Sequence, residues 1–194
     1  MILDEMGPRL SGWKIQIVGT DISTSVVERA RAGRYSQFEI QRGLPVQRMV
    51  RWFDQTEGGW LAKADLRRRI DFSVQNMLTD RPPLASPADL IFCRNLLLYF
   101  SAPMREKAFA RLRAVAAPQC FLVLGAGETV LGQTDQFVAS PRLRGLYEPA
   151  DQQILVFRSV HGPETSRGLL LLLVFCAALC SFFEHFRARL RLNG

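Results

Sequence analysis

The sequence predicts an α/β protein: a doubly wound, mostly parallel sheet, incomplete at its front, with a small antiparallel insert. Three observations predict it. Short apolar stretches at 13–21, 90–93 and 120–128 alternate with segments whose apolar residues recur at helical spacing. The stretch 54–75 instead carries short alternating runs around Glu57-Gly58-Gly59, the mark of antiparallel strands. Arg94 and Asn95 interrupt the apolar run "DLIFCRNLLLYF" (89–100) where a buried strand should end. A guanidinium and a carboxamide are costly to bury unless something pairs with them.

The elements follow in order. "WKIQIVGTD" (13–21) reads as a strand and its exit. "ISTSVVERARAGRYS" then offers Ser23 or Thr24 as a helix cap and Gly33 as its stop. "GLPVQRMVRWF" (43–53) predicts a short helix entered through Pro45, and the antiparallel stretch 54–75 follows. "TDRPPLASPAD" (79–89) is a proline-rich connection. "LIFC" resumes the α/β pattern, and Ser101 with Pro103 opens a helix whose apolar positions are Met104, Ala108, Leu112 and Val115. "CFLVLGAGE" (120–128) is a further buried strand, and "QQILVFR" (152–158) predicts a last one. Such alternation implies right-handed crossovers and a site at the carboxyl ends of the strands.

Composition narrows the partners. The 194 residues suffice for one domain with a sizeable core, and 48% apolar against 22% charged residues argue against global disorder. Lys plus Arg number 25 against 18 Asp plus Glu, a net charge of +7 that favours an acidic partner. Nucleic acid has only that charge in its favour. The four cysteines form no CxxC pair and the two histidines, His161 and His185, come late, so no metal site is expected. Cys93 and Cys120 read as small apolar strand residues. "MILDEMGPRLSGWK" lacks the basic start and apolar run of a secretory signal.

Residues 161–194 do not share the α/β pattern and are read as an apolar and basic tail outside a partial domain of residues 1–160. The run "GLLLLLVFCAALCSFF" (168–183) falls just short of the about 17 to 25 residues of a spanning helix, so membrane contact rests on that stretch alone. The basic residues after it would face the cytoplasm.

Asp21 is the first candidate for chemistry. An acid at the end of the second strand of a nucleotide-binding sheet commonly holds ribose hydroxyls; the alternative is turn closure before the following helix. The glycine turn of such a fold lies about 20 residues before that acid, and Gly7, Gly12 and Gly19 do not form it. The first strand and its loop would therefore fall before Met1, and the chain reads as shortened at its front. Asn76 could read an adenine edge, or simply turn the chain. Arg94 and Asn95 form the stronger pair, and Tyr99 could face the same site. The Gly125-Ala126-Gly127-Glu128 turn would let backbone approach a ligand, a weak phosphate cradle.

"GTDIS", "RARAGRYS", "GLP…VRWF", "QNML", "DLIFCRNLLLYF", "LVLGAGET" and "RGLYEP" follow one another in the order found in the CheR-type chemotaxis receptor methyltransferases, which this chain resembles over about residues 13 to 158. The resemblance implies a Rossmann-like domain with S-adenosylmethionine as cofactor and activity as a protein-glutamate O-methyltransferase. It implies that Asp21, Asn76, Met77, Arg94 and Asn95 bind the adenosyl group and that Tyr99 stands beside the methyl group; chemically, Arg94 or Tyr99 could orient the incoming carboxylate there. Residues 43–75 resemble the subdomain through which family members engage receptors, so acidic helical cytoplasmic segments of chemotaxis receptors are the expected partners. A second reading is a non-catalytic receptor-binding module that docks through Arg67, Arg68 and Arg69. The run itself also suits a solvated face. A membrane-anchored protein is the third.

Overall fold

The computed structural model describes residues 1–150 and 168–174. Its centre is a seven-stranded sheet. In chain order the strands are β1 (Lys14–Asp21), β5 (Ile70–Val74), β6 (Ala88–Cys93), β7 (Ala116–Leu124), β8 (Phe137–Ala139), β9 (Tyr147–Pro149) and β10 (Gly168–Val174). Their spatial order is β5-β1-β10-β6-β7-β9-β8. The first five in that order are mutually parallel, and β9 and β8 close one edge antiparallel. A second sheet of three strands joins β2 (Arg34–Tyr35), β3 (Phe53–Thr56) and β4 (Gly59–Ala62) in the order β2-β4-β3.

The helices form where the sequence supplies their ends. Ser23 caps α2 (Thr24–Ala32) by accepting the Val26 N–H, and Gly33 ends it at φ 64°, a left-handed position that favours glycine. A Cβ at Gly33 would also collide with the Arg67 side chain. Arg31 ties α2 to the sheet by donating to the Phe72 carbonyl. Ser36 and Glu39 build a reciprocal capping box at the start of α3 (Gln37–Gln41). Pro45 leads into α4 (Val46–Trp52), as the sequence predicts, and the single turn α5 (Ala64–Arg67) follows β4. Pro103, in the first turn of α6 (Ala102–Val115), costs no helical hydrogen bond there.

Two cores result. Val18, Ile91, Leu122, Leu170, Phe109, Leu112 and Phe137 are buried in one cluster between the main sheet and α6. Each large side chain withdrawn from water there contributes about 1.5 to 3 kcal/mol. Ile40, Trp52, Phe53 and Ala62 form the smaller core under the three-stranded sheet. Arg48, only 6% exposed, holds α1 (Ile2–Glu5) against α4 through a two-pronged pair with Glu5.

Two sequence expectations meet a different outcome. The antiparallel character of 54–75 ends at Ala62, because Ile70–Val74 pairs with β1 in parallel and belongs to the main sheet. Alternation marks a half-buried strand but carries no information on its partner's direction. The segment 168–174 is a strand between β1 and β6, paired in parallel with both, rather than part of a separate tail. A short run of leucines suits a strand buried on both faces as well as it suits a helix. The expected strand at 152–158 lies outside the described residues, as do 175–183. Among the described residues no helix is long and apolar enough to cross a membrane.

Candidate functional site

Because β5, β1, β10, β6 and β7 are parallel, their carboxyl ends share one edge of the sheet. The chain grows outward from β1 to β5 on one side and from β6 to β7 on the other, with β10 filling the gap between β1 and β6, and such a switch point opens a crevice at the strand ends. Asp21 ends β1. Gln75, Asn76 and Met77 follow β5, Arg94 and Asn95 follow β6, and Gly125 to Glu128 follow β7. Thr20 is level with Val174 and Val174 with Cys93. Asp21 and Arg94 therefore emerge at the same level two strand spacings apart, about 10 Å.

Asp21 is 7% exposed. One carboxylate oxygen accepts the Ser23 N–H at 2.8 Å, so the turn-closing reading holds geometrically. An ionised carboxylate has about four acceptor sites, which leaves the group able to accept from a hydroxyl as well. Its backbone carbonyl receives the Gln75 N–H at 2.8 Å, which joins the exits of β1 and β5.

Asn76 also serves a turn. Its side-chain oxygen accepts the Leu78 N–H at 3.0 Å and its backbone N–H donates to Asp80 at 2.8 Å. The carboxamide N–H2 is thus the half left to meet a ligand's acceptor. That same backbone donation, with the Thr79 hydroxyl adding to it, holds the Asp80 carboxyl below the usual carboxylate range. Met77 packs against the main core and lines a small cleft with Thr20, Gln75, Asp80, Arg111 and Leu112. The cleft measures about 20 Å³. Small-molecule sites run to roughly 300 Å³ or more, so this cleft is too small for a nucleoside.

Asn95 adopts φ 56°, alone among the described non-glycine residues in having positive φ. Its backbone N–H points at Glu128, 2.8 Å away, and the Leu96 and Leu97 N–H groups reach the same carboxylate at 2.8 and 2.7 Å. The Gly125 N–H completes the set at 2.7 Å. A Cβ on Gly125 would stand 2.5 Å from the Asn95 side-chain oxygen and 2.6 Å from the Glu128 carboxylate, so glycine is what permits the approach. The amides of this turn are engaged by the chain's own acid. The phosphate-cradle reading of the Gly125–Glu128 turn is therefore corrected: its donors already hold Glu128. Arg94 is half-buried at the β6 exit, and Tyr99 lies one turn on, 71% exposed.

Sequence reasoning missed two residues. Glu128 was visible only as the last letter of a glycine turn, although a lone acid just past two glycines at a strand end is a usable signal. Gln75 gave none: it is 8% exposed, and its side-chain oxygen is buried without a partner among the described residues.

A doubly wound sheet with an acid, an amide and a guanidinium–amide pair at its carboxyl edge defines a nucleotide-cofactor-binding domain. The chain belongs to the CheR methyltransferase family: residues 1–144 match that family's S-adenosylmethionine-binding domain. S-adenosylmethionine is accordingly the domain's cosubstrate. Chemotaxis protein methyltransferase 1 of Pseudomonas aeruginosa is 36% identical over 124 residues, which are 63% of this chain and 45% of that protein. The chemotaxis protein methyltransferase of Vibrio parahaemolyticus is 38% identical over the same shares. That of Escherichia coli is 30% identical over 131 residues, 66% of this chain and 45% of the relative. The chain thus spans about 45% of the length of these curated relatives. The residues present suit the adenosyl group, with acceptor capacity at Asp21, donors at Asn76, and the Arg94-Asn95 pair at the adjoining strand end.

Proposed function

We propose that this chain carries the cofactor half of a protein-glutamate O-methyltransferase that methylates chemotaxis receptors. The observation that supports this most is the gathering of Asp21, Asn76, Met77, Arg94 and Asn95 on one strand-end edge within the stretch that matches the family. Asp21 would hold the ribose, and Asn76 with Met77 the adenine. S-adenosylmethionine supplies a methyl group already activated by its sulfonium. A glutamate carboxylate is a nucleophile at neutral pH, so no general base is demanded of the chain. What the residues must do is align carboxylate with methyl and exclude water. Arg94 gives a charge-assisted donor for the incoming carboxylate, and Tyr99, on the exposed turn after it, a second. The net charge of +7 favours acidic, helical cytoplasmic receptor segments, and the three-stranded sheet with its neighbouring helices is the surface offered to them. The cytoplasm is where such segments are found.

Calorimetry of S-adenosylmethionine with the full chain tests this, alongside methyl transfer to receptor cytoplasmic fragments. Binding is expected, weakened in Asp21→Ala by about 1 to 3 kcal/mol through orphaned ribose hydroxyls. A folded chain that binds no cofactor overturns the proposal, and unchanged affinity in Asp21→Ala removes the ribose role.

A further inference from the structure

The turn that carries Asn76 and Met77 is closed largely upon itself. The Asn76 carbonyl accepts the Thr79 and Asp80 N–H groups at 3.1 and 2.8 Å. The Asp80 carboxylate accepts the Asn76 N–H and the Thr79 hydroxyl in return, and the Asn76 side chain accepts the Leu78 N–H. These bonds shape residues 76–80 but do not tie them to the rest of the protein. Met77 and Leu78 pack against the main core. Apolar contact is non-directional, so it sets how deep the turn sits without setting which way Asn76 faces.

Directional ties come at its two ends. At the entry the Gln75 N–H donates to the Asp21 carbonyl at 2.8 Å. At the exit the Asp80 carbonyl accepts two donors: the Gln75 side-chain amide at 3.2 Å, and the guanidinium of Arg111, half-buried on α6. The Gln75 bond is long and neutral, and it ties the turn only to its own entry. Arg111 reaches in from a different element, with a charge-assisted bond about twice as strong as a neutral one. Pro82 and Pro83, just beyond Asp80, have no N–H with which to fasten the chain that follows. Arg105, earlier on the same helix, is occupied elsewhere: it donates to the Phe100 carbonyl at 2.5 Å and to the Gln133 side chain at 2.8 Å.

We propose that Arg111 is a positioning residue: by holding the Asp80 carbonyl against α6 it fixes the orientation of the 76–80 turn, and so of the Asn76 carboxamide that is to meet the cofactor. The consequence for the cofactor rests on the methyltransferase reading above. The hold on the turn does not. Arginine suits the task, because its long stem spans from helix to loop and its planar guanidinium favours a carbonyl in a defined direction. Asn76 feels the hold through two direct bonds with Asp80, one accepted by its carbonyl and one donated by its N–H. A turn released from Arg111 keeps its internal bonds and its apolar footing but rocks about that footing. A ligand then has to order the carboxamide as it binds, at a cost in affinity.

Native-state hydrogen exchange of the full chain, followed by NMR, reads the hold without any cofactor. Arg111→Met keeps the stem and removes the donors. The Asn76, Leu78, Thr79 and Asp80 amides are then expected to exchange about tenfold faster, with the amides of β1 and β7 unchanged. Arg111→Lys keeps a charged donor and should recover most of the protection, and Arg111→Ala gives the readout of methionine should that variant not fold. Arg105→Met removes equally charged contacts from the same helix and should leave the 76–80 amides as they were. Calorimetry expects S-adenosylmethionine affinity to fall about tenfold in Arg111→Met, to recover largely in Arg111→Lys and to stay unchanged in Arg105→Met, a contrast that general loosening of α6 would not produce. Unchanged exchange of the 76–80 amides in folded Arg111→Met overturns the proposal, and so does an equal rise in Arg105→Met. Faster exchange with undiminished affinity overturns the positioning role. Faster exchange with no affinity in any chain, the unsubstituted one included, upholds the hold on the turn and overturns only the methyltransferase reading.

Discussion

Asn95 and Glu128 are joined across the exits of two neighbouring strands: the Asn95 N–H, held at φ 56°, meets the Glu128 carboxylate at 2.8 Å. With the Leu96, Leu97 and Gly125 N–H groups this makes four backbone donors around one acid. Such an arrangement fixes the shape of the β6 exit, and hence where Arg94 and Asn95 stand, without help from a ligand.

Glu128→Ala should therefore cost about 3 kcal/mol in urea unfolding, since several partly buried N–H groups lose their acceptor together. Glu128→Gln keeps acceptor oxygen but loses charge assistance, and a smaller loss of about 1 kcal/mol is expected. Equal losses in the two variants would mean that packing, not hydrogen bonding, is what Glu128 provides.

Arg48 is nearly enclosed while its partner Glu5 is about one-third exposed, with N–O separations of 2.6 and 2.5 Å. Glu5→Ala leaves a buried guanidinium without that carboxylate and should destabilise by roughly 2 to 4 kcal/mol. Arg48→Met instead leaves an acid that water can reach, so about 1 kcal/mol is expected there. Thermal unfolding of both variants decides whether this order holds.

Glu39 gives a pH dependence. The Ser36 backbone N–H is the main cause that lowers its carboxyl below the ordinary value, with the Ser36 hydroxyl and Arg29 adding to it. A lowered folded pKa means the contribution is fully present above the unfolded value, about 4.3, and is lost as pH falls through the folded one. Melting temperature followed from neutral to acid pH should fall less steeply in Glu39→Gln over that window. An identical acid limb would remove the capping box from the list of acid-sensitive contacts.

Burial, then the neighbouring Asp89 charge, pushes the Cys120 thiol up to about 12. N-ethylmaleimide at about pH 8 should leave Cys120 untouched in the native chain, because the thiolate is the reacting species, and label it on unfolding. Native labelling would show that β7 opens readily.

Much of this was legible in the sequence because it depends on local signals. Ser23 and Gly33 bound a helix, Pro45 and Pro103 each mark a helix start, and Glu57-Gly58-Gly59 turns one antiparallel hairpin; each signal acts within a few residues of its effect. Asp21 and Arg94-Asn95 stood out because polar groups at the end of an apolar run need a reason. The direction of Ile70–Val74 and the destination of Gly168–Val174 were not legible, since both depend on a partner strand far away in sequence. Glu128 stayed hidden for the same reason. Its four donors come from two strand exits that only the sheet brings together.

Among the described residues, the last strand in the chain stands in the middle of the sheet. Lys14 pairs with Gly168, so β1 leaves the ribosome long before one of its eventual neighbours is made. The edges that β1 and β6 turn toward β10 stay open until Gly168–Val174 has been made, and closing so distant a pairing is slow. During that interval the nascent chain offers two unfilled strand edges to any passing extended segment, a hazard that a sheet completed from neighbouring stretches of sequence escapes.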